Sequence, residues 1–351
     1  MGKVIFTLLL IQSFVAQSLA CSAFGKADSA MVLGKSYDWD LSHGLMVVNK
    51  RNVRKTSITS ANDHKTVTWV AKYGSLTFNQ YGREFPNGGL NEKGLAIEVL
   101  WHFGSEMDQR SPIPALNEAQ WIQYHLDNAA SIPEMLRLAR TVRLHPVFAQ
   151  VHYFACDPSG QCAVFEYIKG ELKTYAPSSL GLPLKALTND SYLPSSANAQ
   201  QYQGLGGTKA IPMGTYDSKD RFVRVAALSA NISAEKKIAA SFKILDTVIS
   251  SSRTQWHLVY DLKTKEVHFK QIKKGRRYKK VDIKQFDYSC QKPVQILDLD
   301  AASVGDVSTQ FTDYSYEKNY AVVKKSGTHH KIPDAIITIF AQYPDTTECG
   351  R

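Results

Sequence analysis

Cysteine is scarce in this chain, and what there is lacks the C-x-x-C spacing: five residues in 351, at positions 21, 156, 162, 290 and 349. A thioredoxin-like dithiol is thereby excluded. Long apolar runs are also missing. Beyond the first twenty residues nothing approaches the roughly eighteen consecutive apolar residues of a membrane span. No segment repeats with the roughly 20–50-residue period of a solenoid or propeller. No nucleic-acid-binding motif accompanies the positive charge, a formal +10 at pH 7, so no nucleic-acid partner is expected. Much of that excess sits in KKGRRYKK, residues 273–280. This stretch follows a strand-like run and contains a glycine. It reads as a solvated hairpin tip, with attraction to anionic lipid or nucleic acid as the sharper alternative.

What is present begins with a leader. Lys3 precedes the apolar residues 4–16, and Ser18 and Ala20 stand at −3 and −1 of a cut before Cys21. These are the parts of a secretory signal. The expectation is a signal peptide over 1–20 and an exported protein, periplasmic or secreted, without a stable membrane span. The chain as a whole is 44% hydrophobic, and all 17 tyrosines lie beyond the leader, which suits a packed core rather than disorder. No linker divides it, so 21–351 is expected to form a single domain.

Short alternating strands fill residues 21 to about 103, with a turn at NEKG ahead of the apolar run LAIEVLW. Residues 116–144 turn helical, with Ser131 as a cap and Pro133 in the first turn of the second helix. Strands return over 147–175, and a Gly/Ser/Asn/Gln-rich loop covers 190–217. Two helices follow at DRFVRVAALS and AEKKIAASFKILDTVI, then the hairpin HLVYDLKTKEVHFKQI. The segment AIITIF near the end reads as a last strand. The order is α+β, not the steady βαβ alternation of a doubly wound sheet.

Cys156 and Cys162 flank the turn DPSGQ between two alternating strands and can face each other across a hairpin. Composition alone leaves Cys290 and Cys349 for a second pair. Cys21 is the odd one out, and an unpaired cysteine in an exported protein is a candidate reactive thiol. As the first residue of a mature chain it carries its own α-amine. A thiol titrates at about 8.5 and an α-amine at about 7.7–8.0, so near neutral pH the amine can accept the thiol proton. Nucleophile and base then share one residue. A lipid-anchored cysteine, a structural disulfide half and an inert buried thiol are the competing readings.

Five segments resemble the choloylglycine hydrolase family, which includes bile salt hydrolases, penicillin V acylases and N-acyl homoserine lactone acylases. They are CSAFGKADSAMVLGKSYDWD (21–40), NGGLNEKGLAIEVLW (87–101), LTND (187–190), DRFVRVAAL (220–228) and VYDLKTKEVHF (259–269), in the family's order. The resemblance implies an N-terminal nucleophile hydrolase with a four-layer αββα sandwich and no cofactor or metal. It implies hydrolysis of a linear, non-peptide C–N amide bond in a small N-acyl compound. Cys21 would be the nucleophile and its α-amine the base. Asp38 would orient the amine, Asn189 would donate to the oxyanion, and Arg221 would hold the cysteine and the acidic groups. Family members are often tetramers, so the resemblance admits a homo-oligomer.

Two positions depart from the family. Lys35 stands where the family usually has Arg, keeping the charge but not the bidentate fork. Trp101 stands where bile salt hydrolases carry a second catalytic Asn, which leaves only a backbone N–H there and points away from bile salts. Trp39, Trp101, His102 and Phe103 are candidates for an apolar acyl pocket. Glu98 sits in a strand with one face buried and calls for a basic partner that the sequence does not name.

Overall fold

β-Branched and aromatic residues in alternation build two large sheets. The computed structural model describes residues 21–28, 30–59, 65–107, 112–250 and 252–350. The expected leader at 1–20 lies outside the described residues. Among the described residues no helix is long and apolar enough to cross a membrane.

The first sheet runs in the order Ala186–Leu187, Ser22–Lys26 (β1), Val32–Asp38 (β2), Thr254–Asp261, Glu266–Gln271, Tyr278–Asp282 and Gly305–Asp306. It is antiparallel except at the last pair. The second sheet is antiparallel throughout. Its order is Glu171–Tyr175, Cys162–Ile168, Val151–Cys156, Ala96–Trp101, Gly88–Asn91, Ser75–Asn79, Leu45–Asn49, Gln295–Asp298 and Thr312–Asp313.

Strand alternation distributes the side chains between layers. Leu100, Phe154, Cys156 and Val164 join Leu33, Tyr37 and Leu258 of the first sheet in one core. Their neighbours Ile97, Tyr153, Ala155 and Phe165 belong to a second core with Trp121, Ile122 and Leu126. Those last three lie on α1 (Glu118–Asn128), which precedes α2 (Ile132–Leu138). The far side of the first sheet carries α4 (Ser218–Ser229) against β1 and α5 (Lys237–Asp246) against β2. The layers are therefore helix, sheet, sheet, helix, the αββα sandwich. At Gly25 the two sheets come so close that a Cβ would lie 2.6 Å from Cys162 Sγ and 2.8 Å from Cys156 Sγ. Only glycine fits there.

The local expectations at α2 are met: Ser131 Oγ accepts from Glu134 N at 3.4 Å, with Pro133 in the first turn. Cys156 and Cys162 stand directly opposite each other and are bonded, Cys290 is bonded to Cys349, and Cys21 is free. Three expectations need correction. The loop expected over 190–217 contains a helix, α3 (Tyr192–Ala199). Its Ser- and Asn-rich sequence favours turns, but Tyr192, Ser195, Ser196 and Ala199 are buried by tertiary packing, which overrides that preference. The strand expected at AIITIF is a helix, α7 (Asp334–Gln342), packed on α6 (Tyr316–His329). Ile337, Phe340 and Ala341 are its buried positions, a spacing of three and four that a β-branched composition disguised. KKGRRYKK does form a hairpin turn and the start of the next strand, with Lys273, Gly275, Arg276 and Tyr278 exposed as expected, but it is not solvated throughout. Lys274 pairs with Asp300 at 2.7 Å, Arg276 with Asp246 at 2.9 Å, and Lys280 with Asp306 at 3.1 Å. Lys279 is fully buried.

Candidate active site

Register brings the scattered motifs to one place. β1 pairs antiparallel with Ala186–Leu187, Ala23 opposite Leu187. Continuing that register by two residues sets Cys21 opposite Asn189. On its other side β1 pairs with β2, Ser22 opposite Ser36, and β2 ends at Asp38 opposite Thr254. Cys21, Asn189 and Asp38 thus converge at one end of three neighbouring strands.

Cys21 is buried and is the free cysteine among the described residues. Its Sγ lies 3.7 Å from the carbonyl oxygen of Asp38. Burial pushes the thiol up from its ordinary value, and the positive charge of Lys35 acts against that. A thiol held protonated in this way needs a base before it can attack.

Arg221 comes from α4, whose N-terminus Asp217 caps. A surface helix residue is one reading of such an arginine, but its side chain is only 1% exposed. Nη1 donates to Cys21 O at 2.6 Å and to Ser22 Oγ at 2.8 Å, and Nη2 donates to Asn189 Oδ1 at 2.9 Å. The rigid fork of the guanidinium therefore ties the nucleophile's residue to the candidate donor. With Oδ1 engaged, the Asn189 amide has one orientation. Its Nδ2 donates to Trp101 O at 2.9 Å and keeps a second hydrogen. Ser218 Oγ accepts from the backbone N–H groups of Asn189 and Asp190, both at 3.0 Å.

Asp38 is buried, not a turn cap. Thr254 Oγ1 donates to its Oδ1, and Ser36 Oγ donates to Oδ2 at 3.4 Å. Burial still pushes its carboxyl up to about 6.

Lys35 lies between the sheets, fully buried. Its ammonium donates to Val99 O across the interface and lies 3.9 Å from Glu98 Oε2. Here is the partner that Glu98 called for. Tyr260 OH also donates to that carboxyl, which burial nevertheless pushes up to about 7. Gly88 leaves the room: a Cβ there would stand 2.4 Å from Glu98 Oε1. Lysine at this position acts on Cys21 through its field, while its hydrogen bond goes to the opposite sheet.

Three of the four proposed pocket residues form a row of rings. Trp39 stacks on Trp101 at 5.6 Å, and Phe103 tilts against Trp101 at 5.6 Å. The row is anchored at the site, since Trp39 follows Asp38 and Trp101 O holds the Asn189 amide. His330, which the sequence did not single out, lies against Trp39 at 5.6 Å. His102 turns elsewhere. It bonds Ser191 Oγ at 2.9 Å and stacks face to face on His152 at 4.5 Å.

His102, His152 and Glu166 are the one group of donor atoms among the described residues whose spacing, within 4.8 Å, would admit a metal ion. The two imidazoles lie within 5° of parallel, so their in-plane lone pairs run side by side, whereas a tetrahedral ion needs converging ones. Both nitrogens of His152 are also taken, by Glu166 at 2.9 Å and by Thr188 O at 2.6 Å. The group is a hydrogen-bonded one.

Comparison with known proteins falls into line with this geometry. The family described as linear amide C–N hydrolases, choloylglycine hydrolase family, matches residues 21–296. A penicillin V acylase of Pectobacterium atrosepticum is 29% identical over 245 residues, 64% of this chain, and the match spans 63% of that relative's length. Among solved structures, penicillin V acylase from Agrobacterium tumefaciens superposes with a TM-score of 0.71 at 26% identity, covering 84% of this chain and 98% of that one. A variant of the conjugated bile acid hydrolase from Clostridium perfringens, 17% identical with a TM-score of 0.58 over 84% and 97% of the two chains, shares the fold.

Proposed function

Because this chain belongs to the choloylglycine hydrolase family of linear amide C–N hydrolases, we propose that it hydrolyses the amide bond of a small N-acyl compound after export and removal of residues 1–20. Penicillin V, an N-acyl homoserine lactone and a conjugated bile salt are the substrate types to screen. The row Trp39–Trp101–Phe103 favours a bulky apolar or aryl acyl group. The observation that carries the reading is Arg221, which bonds Cys21 O and Asn189 Oδ1 with one guanidinium.

The chemistry follows from these groups. The α-amine of Cys21 takes the thiol proton, and Sγ attacks the acyl carbon. A C–S bond forms, and the negative charge on the former carbonyl oxygen is met by the second hydrogen of Asn189 Nδ2. The α-ammonium returns its proton to the leaving nitrogen as the C–N bond breaks, leaving a thioester. Water, deprotonated by the same amine, attacks the thioester carbon. The C–S bond breaks, and the proton restores the thiol. Asp38 keeps the α-amine oriented.

Intact mass of the natively exported protein, with and without a thiol-reactive probe, tests the premise. The expected result is a chain beginning at unmodified Cys21 that takes one probe without reduction, and loss of most turnover in Cys21→Ser. A mass heavier by a diacylglyceryl group, or a chain beginning elsewhere, removes the free amine–thiol pair and overturns the mechanism.

A further inference from the structure

The segment that carries Asn189 is gripped on both sides by side chains that never reach Cys21. His152 Nε2 lies 2.6 Å from Thr188 O, and Glu166 Oε1 accepts from Tyr192 N at 2.9 Å. His102 Nε2 meets Ser191 Oγ at 2.9 Å. Every residue from 188 to 192 except Asn189 and Asp190 is therefore tied to this group, and those two N–H groups go to Ser218.

The proton count in the grip is determined by what each atom can do. A carbonyl oxygen only accepts, so the 2.6 Å contact to Thr188 O puts a hydrogen on His152 Nε2. Nδ1 of the same ring faces Glu166 Oε1 at 2.9 Å. A bare ring nitrogen and a bare carboxylate repel at that distance, so one proton stands between them. Both side chains are fully buried, so water cannot replace it.

We infer that His152 and Glu166 are positioning residues that, through this shared proton, hold the 188–192 segment where the Asn189 amide meets the reacting oxygen. The inference rests on the proposed function, in which Asn189 is the oxyanion donor. Burial keeps Glu166 protonated up to about 7 and lowers His152 to about 3, so the proton belongs to the carboxyl. Other groups face the pair: Lys35 of β2 and Asp190 act on His152, and His102, Tyr175 and the Tyr192 N–H on Glu166. As pH rises through 7 Glu166 ionises, its contact with Nδ1 turns repulsive, and the grip loosens.

A double-mutant cycle tests this on the processed enzyme with an N-acyl amide that it hydrolyses. His152→Ala is expected to lower kcat about 10–100-fold, the cost of a misplaced catalytic group, with KM within about threefold. In an Asn189→Ala background the same change is expected to cost less than threefold. Alkylation of Cys21 by iodoacetamide, which needs no oxyanion donor, reports that the rest of the site is intact. Glu166→Gln, which removes the ionisable proton and leaves at that place either a donor to His152 Nδ1 or an acceptor for the Tyr192 N–H, is the second variant. It is expected to lose less kcat than His152→Ala and to lose the fall in kcat above pH 7. Costs that simply multiply in the double mutant, or a Glu166→Gln profile that keeps its alkaline fall, overturn the positioning role alone. A processed wild type that turns over no N-acyl amide overturns the reading of the whole site, and this role with it.

Discussion

One guanidinium nitrogen of Arg221, Nη2, stands 2.9 Å from Asn189 Oδ1 across the end of β1. This contact decides which end of the amide faces the site, since Oδ1 accepts and Nδ2 is left to donate. Arg221→Lys keeps a charge but cannot reach Cys21 O, Ser22 Oγ and Asn189 Oδ1 together. The expected outcome is a fall in kcat of about 10–100-fold, and Asn189→Ala is expected to cost about 10²–10³-fold. Steady-state kinetics check both, and a change below threefold in either removes that residue from the site.

The carboxyl of Asp38 predicts an acid limb. Burial raises it to about 6, so it is neutral below that pH and charged above it. In the proposed mechanism this charge orients the α-amine of Cys21, and it lies in the field of Arg221. The rate is therefore expected to rise with pH through about 6. The α-amine titrates above this, at about 7.7–8.0 in its ordinary range. The limb belonging to Asp38 is the one that Asp38→Asn removes. A kcat/KM profile unchanged near 6 in that variant contradicts the assignment.

Away from the site, Lys55 is buried with Glu84 at 2.6 Å and Asp127 at 2.9 Å, and Trp69 Nε1 donates to Asp127 at 2.7 Å. Lys55→Met leaves the buried Asp127 carboxylate without its cation and Glu84 with Arg83 alone, at 3.3 Å. Removing one partner of such a group costs about 3–5 kcal/mol. Chemical denaturation of the two proteins gives the difference directly, and a loss below about 1 kcal/mol shows that the carboxylates find another partner.

The Cys290–Cys349 bond closes a loop with a sequence separation of 59, against 6 for Cys156–Cys162. Chain entropy makes the longer closure worth more, about 4 kcal/mol against about 2. Replacing Cys290 and Cys349 together by Ala is expected to lower Tm more than replacing the hairpin pair by Ala. Thermal unfolding of both double variants checks the order.

The ring of His330 extends the aromatic row at Trp39. If the row holds the acyl group, His330→Ala raises KM about tenfold for a bulky apolar acyl group and leaves small acyl substrates unaffected, the loss expected for one partly buried ring. Kinetics with a graded acyl series separates the two cases. Equal changes across the series place His330 outside the acyl site.

Much of the fold was legible because its signals are local. Ser131 before Ile132, with Pro133 following, starts a helix whatever surrounds it, and the DPSGQ turn puts Cys156 opposite Cys162. Where local preference and packing disagree, the sequence misleads. YLPSSANA became α3 because Tyr192 and Ala199 found a core, and AIITIF became α7 because its buried side chains sit three and four apart. The partner of Glu98 was invisible for another reason. Lys35 lies on the other sheet, and nothing in either strand records which sheets will face each other.

By itself the sequence determined the chemistry available: a Cys21 left over from two candidate cysteine pairs, five motifs in order, and hairpins of alternating strands around Cys156/Cys162 and over 257–272. Those are properties of residue type and short spacing. Only the tertiary structure decided that Arg221 spans Cys21 and Asn189, that His102 turns from the aromatic row to His152, and that His330 joins it. Such contacts depend on strand register and on helices laid across sheets, so their energies appear only once distant segments have packed together.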